Sequence, residues 1–159
     1  MYCNQKDNNK VFTLFFIINM KTEIVGSDID GVIAHNDYIR ADFTPNRLHF
    51  FYNRSIPTRY SVIKIDYIIS GRKEYFRILT KKWLEKYKIN YKKLVLFPNK
   101  VKKNNFTIAD FKVKKIKEYN ITKYYEDNRV QFEILKKYCP NTEIIFIDNS
   151  KNNLLKGSK

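Results

Sequence analysis

Two aspartates stand two residues apart in Asp28-Ile29-Asp30-Gly31, directly behind the apolar run Glu23–Ser27. Alternate residues of an extended segment point to opposite sides, so this spacing lets two carboxylates serve one group from different directions. Three more polar sets follow apolar runs. Ser70-Gly71-Arg72 closes Asp66–Ser70, Lys112 lies in the helical stretch beyond Leu94–Phe97, and Glu126-Asp127-Asn128 follows Ile121–Tyr125. Carboxylate oxygens suit Mg²⁺, which keeps several waters and shares a phosphate of its substrate. The N–H groups of a helix N-terminus attract an anion. The set therefore describes a site for a divalent cation and a phosphate.

These residues can meet only if the elements around them bring them to one edge. The runs Glu23–Ser27, Asp66–Ser70, Leu94–Phe97, Ile121–Tyr125 and Glu143–Ile147 read as five short strands. Between them lie helical patterns. Phe76, Leu79, Trp83 and Tyr87 fall at i, i+3, i+7 and i+11. Ile108 to Tyr119 is closed by Asn120, and Arg129–Tyr138 turns Val130, Ile134, Leu135 and Tyr138 inward. Strands alternating with helices predict an α/β fold, a Rossmann-like parallel sheet of about five strands with helices on both faces. In such sheets ligands bind beyond the carboxyl ends of the strands, where all four sets fall. Ser70-Gly71-Arg72 is expected to open a helix there.

Residues 33–65 interrupt the alternation and read as a small cap or flap after the first strand, while 98–107 read as a solvated basic loop. Residues 1–19, with the short apolar run Val11–Ile18, read as a leader or an extra edge strand. A single catalytic domain is expected over 20–148, and 149–159 read as a polar tail. No membrane span is expected.

The chain has 159 residues and a net charge of +15, with 43% hydrophobic residues, enough for one cored domain. Four Gly and four Pro exclude a collagenous or Pro/Gly-rich disordered chain, and two cysteines exclude a disulfide framework or a cysteine-rich zinc site. A reduced, cytoplasmic setting is the simplest expectation. The charge is uneven. No Lys occurs between Lys21 and Lys64, a stretch that carries Arg40, Arg47, Arg54 and Arg59 and nets −1, whereas residues 64–159 net +14. A basic field attracts polyanions, although a lysine-rich bias on solvated helix faces explains the excess equally simply.

With these motifs in order, the chain resembles phosphatases of the haloacid dehalogenase superfamily. The resemblance implies that Asp28 is the nucleophile, forming an aspartyl-phosphate, and that Asp30 is the general acid and base, its backbone carbonyl also on the metal. It implies that Ser70 and the amide of Gly71 bind the phosphate and that Lys112 steadies its charge, with Lys114 and Lys115 as neighbouring alternatives. Asp127, with Glu126 as a second contributor, is implied to hold Mg²⁺ together with Asp28 and Asp30. Two departures stand out: Val32 follows Gly31 where many members have Thr, and the last motif is Glu-Asp-Asn. The run Ile68-Ile69-Ser70-Gly71-Arg72, followed by Thr80-Lys81-Lys82-Trp83, is similar to the phosphatase domain of phage-type polynucleotide kinase/3′-phosphatases. No Gly-rich nucleotide-binding loop accompanies it.

Plainer readings stand beside these. Ser70 can be a helix cap and Lys112 a surface lysine, while Arg72 can neutralise phosphate or cap the rim. Arg40 and Arg47 are candidate substrate contacts from the flap, since Arg binds phosphate as a fork. His35 and His49 read as structural. Tyr38, Phe43, Phe50, Phe51 and Tyr52 read as the flap's own core, one of them able to stack on a base. The sequence thus predicts a Mg²⁺-dependent phosphomonoesterase acting on a nucleotide or nucleic-acid end. The alternatives are a phosphatase of a small metabolite and a catalytically idle basic module that binds nucleic acid or a partner.

Overall fold

The computed structural model describes residues 22–35, 48 and 52–149. The chain runs through β1 (Val25–Ser27), β2 (Ala34–His35), β3 (Ile56–Pro57), a 3-10 turn over Arg59–Val62 and β4 (Tyr67–Lys73). It continues through α1 (Arg77–Lys86), β5 (Lys93–Phe97), α2 (Asn105–Glu118), β6 (Lys123–Glu126), α3 (Arg129–Tyr138) and β7 (Glu143–Phe146). Five strands form one parallel sheet in the order β5-β4-β1-β6-β7, and β2 pairs with β3 in a separate antiparallel ribbon. The sheet is Rossmann-like. Its order reverses at β1, so the crevice at the carboxyl ends opens beside Asp28.

Period-two alternation divides the core into two layers. Ile68, Leu94 and Leu96 pack with Trp83 and Leu84 of α1 on one face. Ile69, Tyr124 and Val95 pack with Ile116 of α2 and Leu135 of α3 on the other. Each such buried aliphatic side chain contributes about 1.5–3 kcal/mol relative to exposure. Gly26 of β1 leaves room for the second layer: a Cβ there would lie 2.7 Å from the Tyr124 ring and 2.9 Å from Ile121.

Three local expectations are corrected. Ser70-Gly71-Arg72 does not open a helix. It lies inside β4, which continues to Lys73 through a register shift, and α1 begins only after a 3-10 turn at Glu74–Phe76. Lys73 keeps the strand going, pairing with Phe97 and donating its ammonium to the carbonyls of Pro98 and Asn99 at 3.0 and 3.1 Å and of Val101. Next, α2 starts at Asn105, three residues before the apolar periodicity becomes visible. A capping box makes that start, with Thr107 N–H donating to Asn104 Oδ1 (2.9 Å) and Asn104 N–H to Thr107 Oγ1 (3.0 Å). Finally, α3 buries Gln131 and Leu135 and leaves Val130 and Tyr138 exposed. Asn128, whose Oδ1 caps Gln131 N–H at 3.1 Å, sets that phase.

Of the expected flap, the ends are described: β2 and β3 form its ribbon, and residues 52–54 are helical. Trp83 of α1 ties the segment to the body through Nε1–H donating to the Ser55 carbonyl at 2.8 Å. Among the described residues, no helix is long and apolar enough to cross a membrane.

Candidate active site

The segment after β1 folds into a tight turn. Gly31 N–H donates to the Ala34 carbonyl and Ala34 N–H to the Ile29 carbonyl, both at 2.8 Å, while Ile29, Val32 and Ile33 anchor the turn in the core. Gly31 has φ of 81°, in the left-handed region, and a Cβ there would stand 1.7 Å from Asp127 Oδ2. The glycine is therefore required twice, by the turn and by the carboxylate that occupies the Cβ position.

Asp28 is nearly buried, and both of its oxygens have donors. Ile29 N–H donates to Oδ1 at 2.6 Å, and Lys112 Nζ donates to Oδ2. Lys112, in the middle of α2, is fully buried and bridges to Glu126 Oε2 at 2.6 Å. Burial would lower its ammonium pKa, but Asp28 and Glu126 outweigh that and hold it above the ordinary value. Of the three candidate lysines Lys112 alone meets Asp28. Lys114 pairs with Asp110 and Lys115 with Glu118.

Glu126 is also fully buried, and its other oxygen accepts from Asn128 N–H at 3.0 Å. Burial raises its carboxyl above the ordinary range against the pull of Lys112. The Asp127 carboxyl is pushed up to about 8 by burial and by the charges of Asp28 and Glu126. Ligand oxygens of Asp28, Glu126 and Asp127 lie within 4.8 Å of one another. This all-oxygen set fits a Mg²⁺-sized hard cation. Asp28 and Asp127 line the cleft and Glu126 does not, so the two aspartates are the readier ligands.

Asp28, Asp30, Ser70, Gly71 and Asp127 line one cleft of about 480 Å³, with Lys103 on its wall. Ser70 is buried, its Oγ accepting from Arg72 N–H at 3.3 Å. Arg72 does not reach the rim. Its side chain is fully buried, Nε donating to Asp30 Oδ2 at 2.9 Å and Nη2 to Asp30 Oδ1 at 2.5 Å. The guanidinium lies 4.0 Å from the Tyr52 ring centre, so Tyr52 packs on the body of the protein and on Phe76. Arg54 and Arg59 are exposed, and Arg59 lies over its neighbour Tyr60. Arg40 and Arg47 lie outside the described residues, as do Tyr38, Phe43, His49, Phe50 and Phe51.

Two cleft contributors escape the motif reading. Asn149, expected to begin a tail, donates from Nδ2 to the Gly31 carbonyl at 2.8 Å and toward Asp127 Oδ2 at 3.4 Å. The strand-end rule that singled out the first four sets, applied also after the fifth strand, points to it. Lys103 carries no such signal, since it belongs to a lysine-rich loop. Desolvation at the cleft holds its ammonium below the ordinary value, against the pull of Asp30 and Asp28.

Neither a protein-family model nor a curated protein matches the chain. Its fold is shared with solved chains of the Pnkp1/Rnl/Hen1 RNA repair complex. One has a TM-score of 0.63 at 16% identity, covering 79% of this chain and 42% of that one. A second has a TM-score of 0.58 at 16% identity, covering 79% and 45%. The chain thus spans less than half the length of either neighbour. At this identity the likeness shows the fold alone, a Rossmann-like α/β domain.

Proposed function

We propose that the protein is a divalent-cation-dependent phosphomonoesterase that works through an aspartyl-phosphate on Asp28, with a nucleotide or a nucleic-acid end as substrate. The observation that carries this reading is the paired arrangement of the two aspartates after β1. Asp28 is held by a buried ammonium, and Asp30 two residues on is held by a buried guanidinium. Each pair fixes its carboxylate, and both aspartates line one cleft.

In this mechanism an oxygen of Asp28 bonds to phosphorus as the bond to the leaving oxygen breaks. Asp30 would take up a proton on an oxygen released from the Arg72 fork and give it to the leaving oxygen. Water then attacks phosphorus, Asp30 takes the proton back, and phosphate leaves with the Asp28 carboxylate restored. A carboxylate nucleophile divides one hard displacement into two easier ones. Ser70 Oγ and the Gly71 amide, which line the cleft, would hold the phosphoryl oxygens, and Lys112 would supply fixed positive charge beside the nucleophile. Asp28, Asp127 and the Asp30 carbonyl would hold Mg²⁺, which offsets the repulsion between the carboxylates and the phosphate.

The RNA-repair setting of the structural neighbours supports the nucleic-acid side of the proposal. The cleft volume, within the range of small-molecule sites, supports a second reading with a small phosphorylated metabolite. Phosphate release with Mg²⁺ from an aryl phosphate, an end-phosphorylated oligonucleotide, mononucleotides and sugar phosphates separates the two. Turnover of none of them, with cation binding intact, would overturn both.

A further inference from the structure

Resting on the phosphatase reading, we propose that Tyr75, the loop over residues 98–104 and Phe106 form a track for single-stranded nucleic acid, leading its phosphorylated end into the cleft. The loop carries Lys100, Lys102 and Lys103, and no acidic residue occurs from 98 to 109. Among the described residues, Lys100 and Lys102 pair with no carboxylate. Large apolar side chains stand out between these charges: Phe106 is 70% exposed, Tyr75 56% and Val101 41%. Val101 and Phe106 flank the cleft-lining Lys103 and Asn105 in the chain, and exposed apolar groups gathered beside a cleft mark an interaction surface.

The track is continuous with the candidate active site. Lys103 and Asn105 line the cleft, and Phe106 follows at the start of α2. On the other side Tyr75 packs on Phe76 at 4.5 Å, and Phe76 packs on Tyr52, also a cleft residue, at 5.0 Å.

The loop is built in advance. Lys73 gathers three of the surrounding carbonyls, Tyr75 N–H donates to Asn99 Oδ1 at 3.0 Å, and Thr107 Oγ1 donates to the Lys102 carbonyl at 2.8 Å. A pre-formed surface loses little freedom on binding. Three lysines set beside the exposed rings of Tyr75 and Phe106 fit a strand whose phosphates meet the ammonium groups and whose bases stack whatever their identity. The core of a protein interface is depleted in lysine, so the same cluster disfavours a protein partner.

The test compares the wild type with Lys100→Ala/Lys102→Ala/Phe106→Ala and with a charge-matched control, Lys136→Ala/Lys137→Ala, at the end of α3. Steady-state rates are measured on an end-phosphorylated oligonucleotide and on an aryl phosphate, alongside direct binding of an unphosphorylated oligonucleotide across salt concentrations. The track variant should raise KM for the oligonucleotide about tenfold relative to any change with the aryl phosphate. Its binding should lose about 1.4 from the slope against log salt, the share of two phosphate contacts on a single strand. The control should keep both values. Equal losses in the two variants, or unchanged binding in the track variant, would overturn the proposal. A wild type active on the aryl phosphate with no salt-dependent preference for the oligonucleotide would also overturn it, leaving the phosphatase reading standing. Should no substrate turn over, the phosphatase reading fails, and the direct binding comparison still decides the track.

Discussion

Arg72 holds Asp30 by a two-pronged fork, Nε on Oδ2 at 2.9 Å and Nη2 on Oδ1 at 2.5 Å, with the guanidinium wholly inside the protein. Thr80 Oγ1, 3.5 Å from Nη1, and the Tyr52 ring at 4.0 Å complete its surroundings. Lysine keeps the charge but loses the planar fork, so Arg72→Lys should leave Asp30 poorly aimed. Proton donation by a positioned acid contributes about 10²–10⁴-fold, and it matters most where the leaving oxygen is a poor leaving group. Arg72→Lys should therefore lose at least about tenfold more activity on an alkyl phosphate than on an activated aryl phosphate. Equal losses on both would reduce Arg72 to a packing role.

Lys112 is the positive centre of a buried triad with Asp28 and Glu126. Removing one member of a buried pair leaves the others uncompensated, at about 3–5 kcal/mol. Lys112→Met should destabilise the fold by about that amount in denaturant unfolding and abolish turnover. Adding Glu126→Gln should recover part of the stability and none of the activity. A single variant as stable as the wild type would show that the triad is not coupled in solution.

Gly31→Ala places a methyl group where the Asp127 carboxylate stands, on backbone with φ of 81°. The carboxylate has to move. Outer-shell disturbances of this kind weaken metal affinity about 10–100-fold, so the Mg²⁺ concentration for half-maximal activity should rise accordingly. An unchanged Mg²⁺ dependence would separate Asp127 from the cation.

Asp66 governs an acid limb away from the cleft. It is buried at the entry to β4, its Oδ2 accepting from Val25 N–H at 2.9 Å and its Oδ1 from Lys92 at 2.8 Å. Burial would raise its carboxyl, but the bonds from Lys92 and Val25 outweigh this and hold it below the ordinary value. A folded pKa below the unfolded one gives stability that is present above about pH 4 and lost as pH falls through the folded value. Asp66→Asn should lower Tm at neutral pH and flatten the fall of Tm on acidification. An acid limb of the same steepness in the variant would contradict this.

Much of this architecture is legible in the sequence. Apolar runs and helical spacing place five strands and three helices because each helix buries one face and the sheet is covered on both. The cleft residues at the strand ends follow from the same alternation. What escaped depends on partners distant in sequence. The burial of Arg72 is decided by Asp30, which lies 42 residues away, and the helix expected at Ser70 gives way to a strand through pairing with β5. Gln131 enters the core in place of Val130 because Asn128 fixes the phase of α3, a choice that hydrophobicity alone does not reveal. The capping box at Asn104 was written in the sequence, but within a run of lysines and asparagines that reads as loop.

The central claim is that Asp28 takes the phosphoryl group. Protein mixed with an aryl phosphate and Mg²⁺, quenched in acid during turnover and digested, should yield a hydroxylamine-labile phosphoryl group on the peptide containing Asp28. Asp28→Asn should show neither that adduct nor phosphate release. Phosphate released at the wild-type rate by Asp28→Asn would contradict the account.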